Sequence, residues 1–144
     1  MKDLRDLKYV SFEVAKLFET ELGYDEESLV VYRYDTSTGE NPELICMGSP
    51  KKNLHLKSYS TVAALTLQEA TEYIRDKYHY LINVYTRFEK ENDEAQEKMV
   101  WYGVVYKIGA SSGIYRGEGT SYEECVNKAI ASLINLEFND YKML

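Results

Sequence analysis

The sequence predicts an α+β fold: a mostly antiparallel sheet with helices packed on one face, its C-terminal half ordered α-β-β-β-α. Three observations carry this. Across residues 66–78 the apolar side chains recur at helical spacing; from Tyr80 the period drops to two and holds through two successive strands; across 121–136 it returns to the helical value. The 144 residues carry a net charge of -7 and are 44% hydrophobic, too apolar for a disordered acidic chain. A chain of this length buries about two-thirds of its unfolded surface as one domain. Within residues 1–144 we read an N-terminal α-β-β segment over about 9–48, a linker over 49–65 and the α-β-β-β-α unit over 66–138.

Residues 4–8 carry alternating charge and read as a frayed lead-in. Ser11 is placed to cap a first helix, in which Val14, Leu17, Phe18 and Leu22 share one face; Gly23 tolerates the left-handed backbone just beyond its end. A strand follows over 29–35, with Val30, Tyr32 and Tyr34 on one side and Val31 and Arg33 on the other. Thr-Ser-Thr-Gly-Glu-Asn-Pro then turns the chain into a hairpin partner over 44–47. Residues 48–61 give the faintest pattern. Gly-Ser-Pro-Lys-Lys-Asn is turn chemistry, Leu54 and Leu56 alternate like a short edge strand, and Lys51, Lys52 and Lys57 suit a solvated edge protected by lysine.

Thr66 and Glu69 have the spacing of a capping box, so a helix starts there, with Leu67, Ala70, Ile74 and Tyr78 as its inner stripe. In the strand from Tyr80, residues Tyr80, Ile82, Val84, Thr86 and Phe88 share one face, and Leu81, Asn83, Tyr85, Arg87 and Glu89 the other. Residues 89–98 are too charged to pack and form an exposed loop. The return strand is read with Val100, Tyr102, Val104, Tyr106 and Ile108 facing in and Met99, Trp101, Gly103, Val105 and Lys107 facing out. A third strand runs over 114–117, and Thr120 or Ser121 caps a last helix that buries Cys125, Val126, Ala129, Ile130 and Leu133.

Composition narrows the function. Closely spaced charges at Lys2, Asp3, Arg5, Asp6 and Lys8 break up any signal-peptide core, and no run approaches the length of a membrane span, so we expect a cytoplasmic protein without membrane partners. The only cysteines, Cys46 in a strand and Cys125 on the inner face of the last helix, read as buried free thiols. Together with His55 and His79 they lack the close pairing of metal ligands, and no spacing assembles an acid, a base and a nucleophile. No enzyme activity, metal or cofactor is expected. The 14 tyrosines suit a structural part, rings capping the core while hydroxyls stay wet.

In topology the unit from Thr66 resembles a double-stranded-RNA-binding domain, and Gly117-Glu118-Gly119-Thr120-Ser121 ahead of an Ala-containing helix is similar to that family's last strand and helix. The resemblance implies a lysine cluster that grips phosphates at the start of that helix. Here the positions are Tyr122, Glu123, Glu124, Cys125, Val126, Asn127 and Lys128, which place two carboxylates where phosphates would lie, so no nucleic-acid partner is expected. A strand followed by a capped amphipathic helix is similar also to the antitoxin half of some toxin-antitoxin pairs. A wider resemblance is to small uncharacterised proteins of gut bacteria and their prophages. It rests on Val10-Ser11-Phe12-Glu13-Val14-Ala15-Lys16-Leu17 ahead of Gly-Tyr-Asp-Glu-Glu, on Leu67-Gln68-Glu69-Ala70 with Ile74-Arg75, and on Ser121-Tyr122-Glu123-Glu124. Tyr73 stands where that pattern commonly has Trp. The resemblance implies a fold and a genomic setting, and no chemistry.

A binding role remains. Pairing the two long strands is expected to put Trp101, Tyr85, Arg87, Met99 and Lys107 on one outward face, the mixture of aromatic, Met and Arg that enriches protein interfaces. The N-terminal segment either extends the sheet and leaves this face open or packs over it. The expectation is a non-catalytic domain that binds a protein partner or a second copy of itself, in a prophage setting an accessory protein that blocks or sequesters a host factor. The rival is a small-molecule or nucleotide binder using the tyrosine-rich surface.

Overall fold

Each helix begins at a hydroxyl the sequence offers. In a computed structural model that describes residues 8–94 and 96–138, Ser11 accepts from the Val14 N–H and opens α1 (Phe12–Thr20). Thr66 and Glu69 complete the reciprocal capping box of α2 (Leu67–Tyr78), and Ser121 accepts from the Glu124 N–H to open α3 (Tyr122–Glu137). The lead-in over 4–7 and Ala95 lie outside the described residues. The buried stripes fall where the spacing puts them: Val14 and Phe18 on α1, Leu67, Ala70 and Ile74 on α2, and Cys125 to Ile134 on α3. α2 stops at His79, whose left-handed backbone (φ 65°) turns the chain directly into the next strand.

Seven antiparallel strands form two sheets rather than the single sheet expected. The first has the order β2-β1-β4-β3, built from β1 (Ser28–Asp35), β2 (Glu43–Lys51), β3 (Leu54–His55) and β4 (Tyr59–Ala63); the second has the order β5-β6-β7, built from β5 (Tyr80–Glu89), β6 (Lys98–Lys107) and β7 (Gly113–Gly119). The stretch 49–65 is therefore no linker: it holds β3 and β4, and β4 is an inner strand. Its signal was weak because its buried residues include Ser60 and Thr61, small polar side chains that break the apolar pattern. Cys46 is exposed, not buried, because β2 is an edge strand, whereas Cys125 is buried as expected.

The N-terminal segment neither extends the second sheet nor covers its outer face. Tyr32 and Tyr34 on β1 pack against Phe12 of α1, α1 packs on α3, and α3 lies across β5, β6 and β7. The helices thus occupy the space between the sheets, and one core draws Phe18, Val62, Ile74, Val105, Ile130 and Leu133 from all three helices and both sheets. Each such side chain contributes about 1.5–3 kcal/mol of burial.

The register of the long hairpin corrects the orientation of β6. Ile82 lies opposite Val105 and Val84 opposite Gly103, and directly opposed residues of an antiparallel pair share a face. Val105, Gly103, Trp101 and Lys107 therefore turn toward the helices, and Val100, Tyr102, Val104 and Tyr106 away from them. The cause is close packing of α3. A Cβ on Gly103 would sit 2.9 Å from the carbonyl oxygen of Cys125, and one on Gly119 would sit 2.8 Å from its Sγ. The two glycines let the first turn of α3 touch the sheet, and the space beside Gly103 belongs to this helix rather than to a partner.

Candidate protein-binding face

Because all three helices lie on one side of the β5-β6-β7 sheet, its other side is an open face made of β5 odd positions, β6 even positions and β7 positions opposite them. Of the residues expected on one outward face, the structure places two here. Tyr85 stacks on Tyr102, which it opposes in register, with ring centroids 5.5 Å apart and planes at 24°. Arg87 follows on the same strand, its Nε 4.0 Å from Glu89 Oε1. Trp101, Met99 and Lys107 belong to the opposite face: Trp101 is half-buried between Thr86 and Gly119, Met99 opposes Phe88 near the hairpin end, and Lys107 opposes Tyr80. The alternation of β6 misled because both of its faces carry large apolar side chains, so periodicity alone does not say which is inside.

Residues the sequence assigned to the core build the middle of the open face. Tyr102 is only 5% exposed and Val104 6%, yet no helix covers them; their neighbours on the flanking strands do. The Arg116 guanidinium lies 4.5 Å from the Tyr102 ring centroid, on β7, and Tyr85 stacks on the same ring from β5. Arg116, Tyr102 and Tyr85 thus form a row across all three strands. The Tyr102 hydroxyl donates to Glu89, and this bond, with burial and the Glu89 charge adding to it, pushes the phenol above its ordinary pKa. Leu81 is 41% exposed at one end and Tyr85 37%, so the face offers apolar and aromatic surface to solvent beside the charged Arg87, Glu89, Arg116 and Glu118. The signal for it was present in the sequence as two tyrosines that must oppose each other once the hairpin register is fixed.

Two other groupings compete for attention. Glu19, His55, Ser60 and Thr36 form a chain of hydrogen bonds: His55 Nε2 lies 2.9 Å from Glu19 Oε2, His55 Nδ1 lies 3.2 Å from Ser60 Oγ, and Ser60 Oγ lies 2.7 Å from Thr36 Oγ1. Sequence spacing gave no hint of it, since the four residues sit on α1, β3, β4 and the turn after β1. The order acid-imidazole-hydroxyl is that of an activated serine, but Ser60 is 0% exposed and no substrate atom reaches its oxygen. Its visible work is to hold β3 and β4 against α1.

The second grouping is an open cleft of about 950 Å³ between the start of β1 and the start of α2, with Leu29, Val30, Ala64 and Leu67 among its apolar walls. Four of its polar side chains are engaged with one another: Thr66 with Glu69 in the capping box, and Gln68 with Glu72 at 3.1 Å. They do not converge on a ligand position. Among the described residues no three His, Cys, Asp or Glu side chains are grouped closely enough to hold a metal ion, and no helix is long and apolar enough to cross a membrane.

Comparison of the chain with family models, with curated proteins and with solved structures finds no match to any of them.

Proposed function

We propose that this chain is a non-catalytic protein-binding domain that uses the open face of the β5-β6-β7 sheet. The observation that carries the reading is an uncovered sheet face whose centre is Tyr102 and Val104, flanked by Tyr85, Leu81, Arg87 and Arg116. An open antiparallel face is ordinarily polar, whereas this one has the apolar centre, aromatic rings and arginines of a protein interface with a charged rim. In a prophage setting, this role takes the form of a cytoplasmic accessory protein that blocks or sequesters a host factor.

The rival, a nucleotide held on the tyrosines, is less well supported. A base stacks on a free ring face, and both faces of Tyr102 are taken, one by Tyr85 and the other by Arg116. The net charge of -7 also opposes a polyanion. Capture from a lysate of the source cell with wild type, Leu81→Asp and Leu54→Asp tests the reading. Leu54 is 41% exposed on the other sheet and serves as the control. The expected outcome is a protein retained by wild type and by Leu54→Asp but lost with Leu81→Asp at unchanged melting temperature; equal retention by all three refutes the face as the binding site.

A further inference from the structure

We infer that two copies of this chain pair antiparallel along the free edge of β7, about a twofold axis at Gly117, to join their second sheets into one. β7 has a strand neighbour on one side only, β6. The edges of the first sheet are blunted in familiar ways, β2 by Pro50 and Lys51 and β3 by being two residues long. β7 carries neither proline nor lysine. It also carries two charges that its own chain leaves without an ion pair among the described residues: Arg116, which rests on Tyr102, and Glu118.

Those two residues fix both the occupant and the register. They stand two apart on the same face of the strand, so in an antiparallel pair centred on Gly117 each Arg116 lies directly opposite the Glu118 of the other copy, twice over by symmetry. No such pairing is open to β5, where the only adjacent opposite charges, Arg87 and Glu89, sit at its end and would leave most of the strand unpaired. In the single chain Lys128 Nζ donates to the Glu118 carbonyl at 3.0 Å, and pairing exchanges this bond for a strand hydrogen bond. The hydrogen bonds of the interface use the sheet edge, while its charge pairs draw on Arg116, which also borders the open face; the two tyrosine-rich faces then become one surface.

Sedimentation of wild type, Arg116→Glu, Glu118→Arg, their equimolar mixture and the double variant tests the pairing. The short ladder predicts a weak dimer, best sought at concentrations up to about 0.5 mM. Wild type is expected to dimerise, and each single variant, which opposes like charges twice, to dissociate about tenfold or more readily. The mixture and the double variant restore opposite charges and recover the dimer, a result that misfolding of either chain does not produce. A monomeric wild type, single variants that dimerise like wild type, a mixture and double variant that stay monomeric, or a wild-type dimer abolished by Leu81→Asp on the open face each overturns the proposal.

Discussion

Trp101 and Tyr85 come from neighbouring rungs of one hairpin yet serve opposite sides of it, because Trp101 opposes Thr86 while Tyr85 opposes Tyr102. That one-residue offset decides which aromatic stabilises the fold and which is free to bind. Trp101 is half-buried on the helix side over Gly119, so Trp101→Ala removes packing and is expected to cost about 2 kcal/mol, below the 3–5 kcal/mol of a fully buried aromatic. A thermal melt within a degree of wild type would return Trp101 to the solvent side. At this scale the sequence was legible where a charge marks the outside, as on β1, where Arg33 is exposed and Tyr34 buried. It was not legible on β6, where Trp101 and Tyr102 are equally fit for the inside and only the glycine opposite Cys125 decides.

The element on which the second sheet depends is α3, whose first turn presses on Gly103 and Gly119 and whose cap is tied by charge. Gly103→Ala forces a methyl to 2.9 Å from the Cys125 carbonyl, a backbone atom with little room to yield, and is expected to destabilise by about 1–3 kcal/mol in denaturant melts. An unchanged midpoint would mean that the helix does not sit this close. At the same end Glu124 accepts from Lys128 and from the Thr120 hydroxyl and N–H, which together hold its carboxyl at about 2, down from 4.5. A carboxyl with a lowered folded pKa adds stability above its unfolded value, and that stability is lost as the pH falls from 4.5 toward 2. The melting-temperature gap between wild type and Glu124→Gln should therefore be present at neutral pH and close across that window; a gap independent of pH would show that the bonds matter only as neutral contacts. The helices were the most legible elements, because Ser11, Thr66 and Ser121 each announce a start by side-chain chemistry that acts within a few residues. β4 was the least legible, since its burial depends on strands and helices distant in sequence.

At the scale of the molecule, an acidic chain packs three helices between two sheets and leaves the second sheet's outer face uncovered by them. The α-β-β-β-α order was readable from periodicity alone, but the separation into two sheets was not. It follows from α1 packing simultaneously on β4 and α3, a contact that no local pattern encodes. The row of Arg116, Tyr102 and Tyr85 lies on the side of the second sheet that no helix covers, which is why the proposed binding site is placed there. The most direct test is calorimetric titration of the partner protein retained by wild type into wild type, Tyr85→Ala and Trp101→Ala, each below its melting temperature. The account predicts that Tyr85→Ala weakens binding by about 2 kcal/mol, roughly thirtyfold, while Trp101→Ala binds like wild type. Full affinity in Tyr85→Ala together with a loss in Trp101→Ala would contradict it and place the binding site on the other side of the sheet.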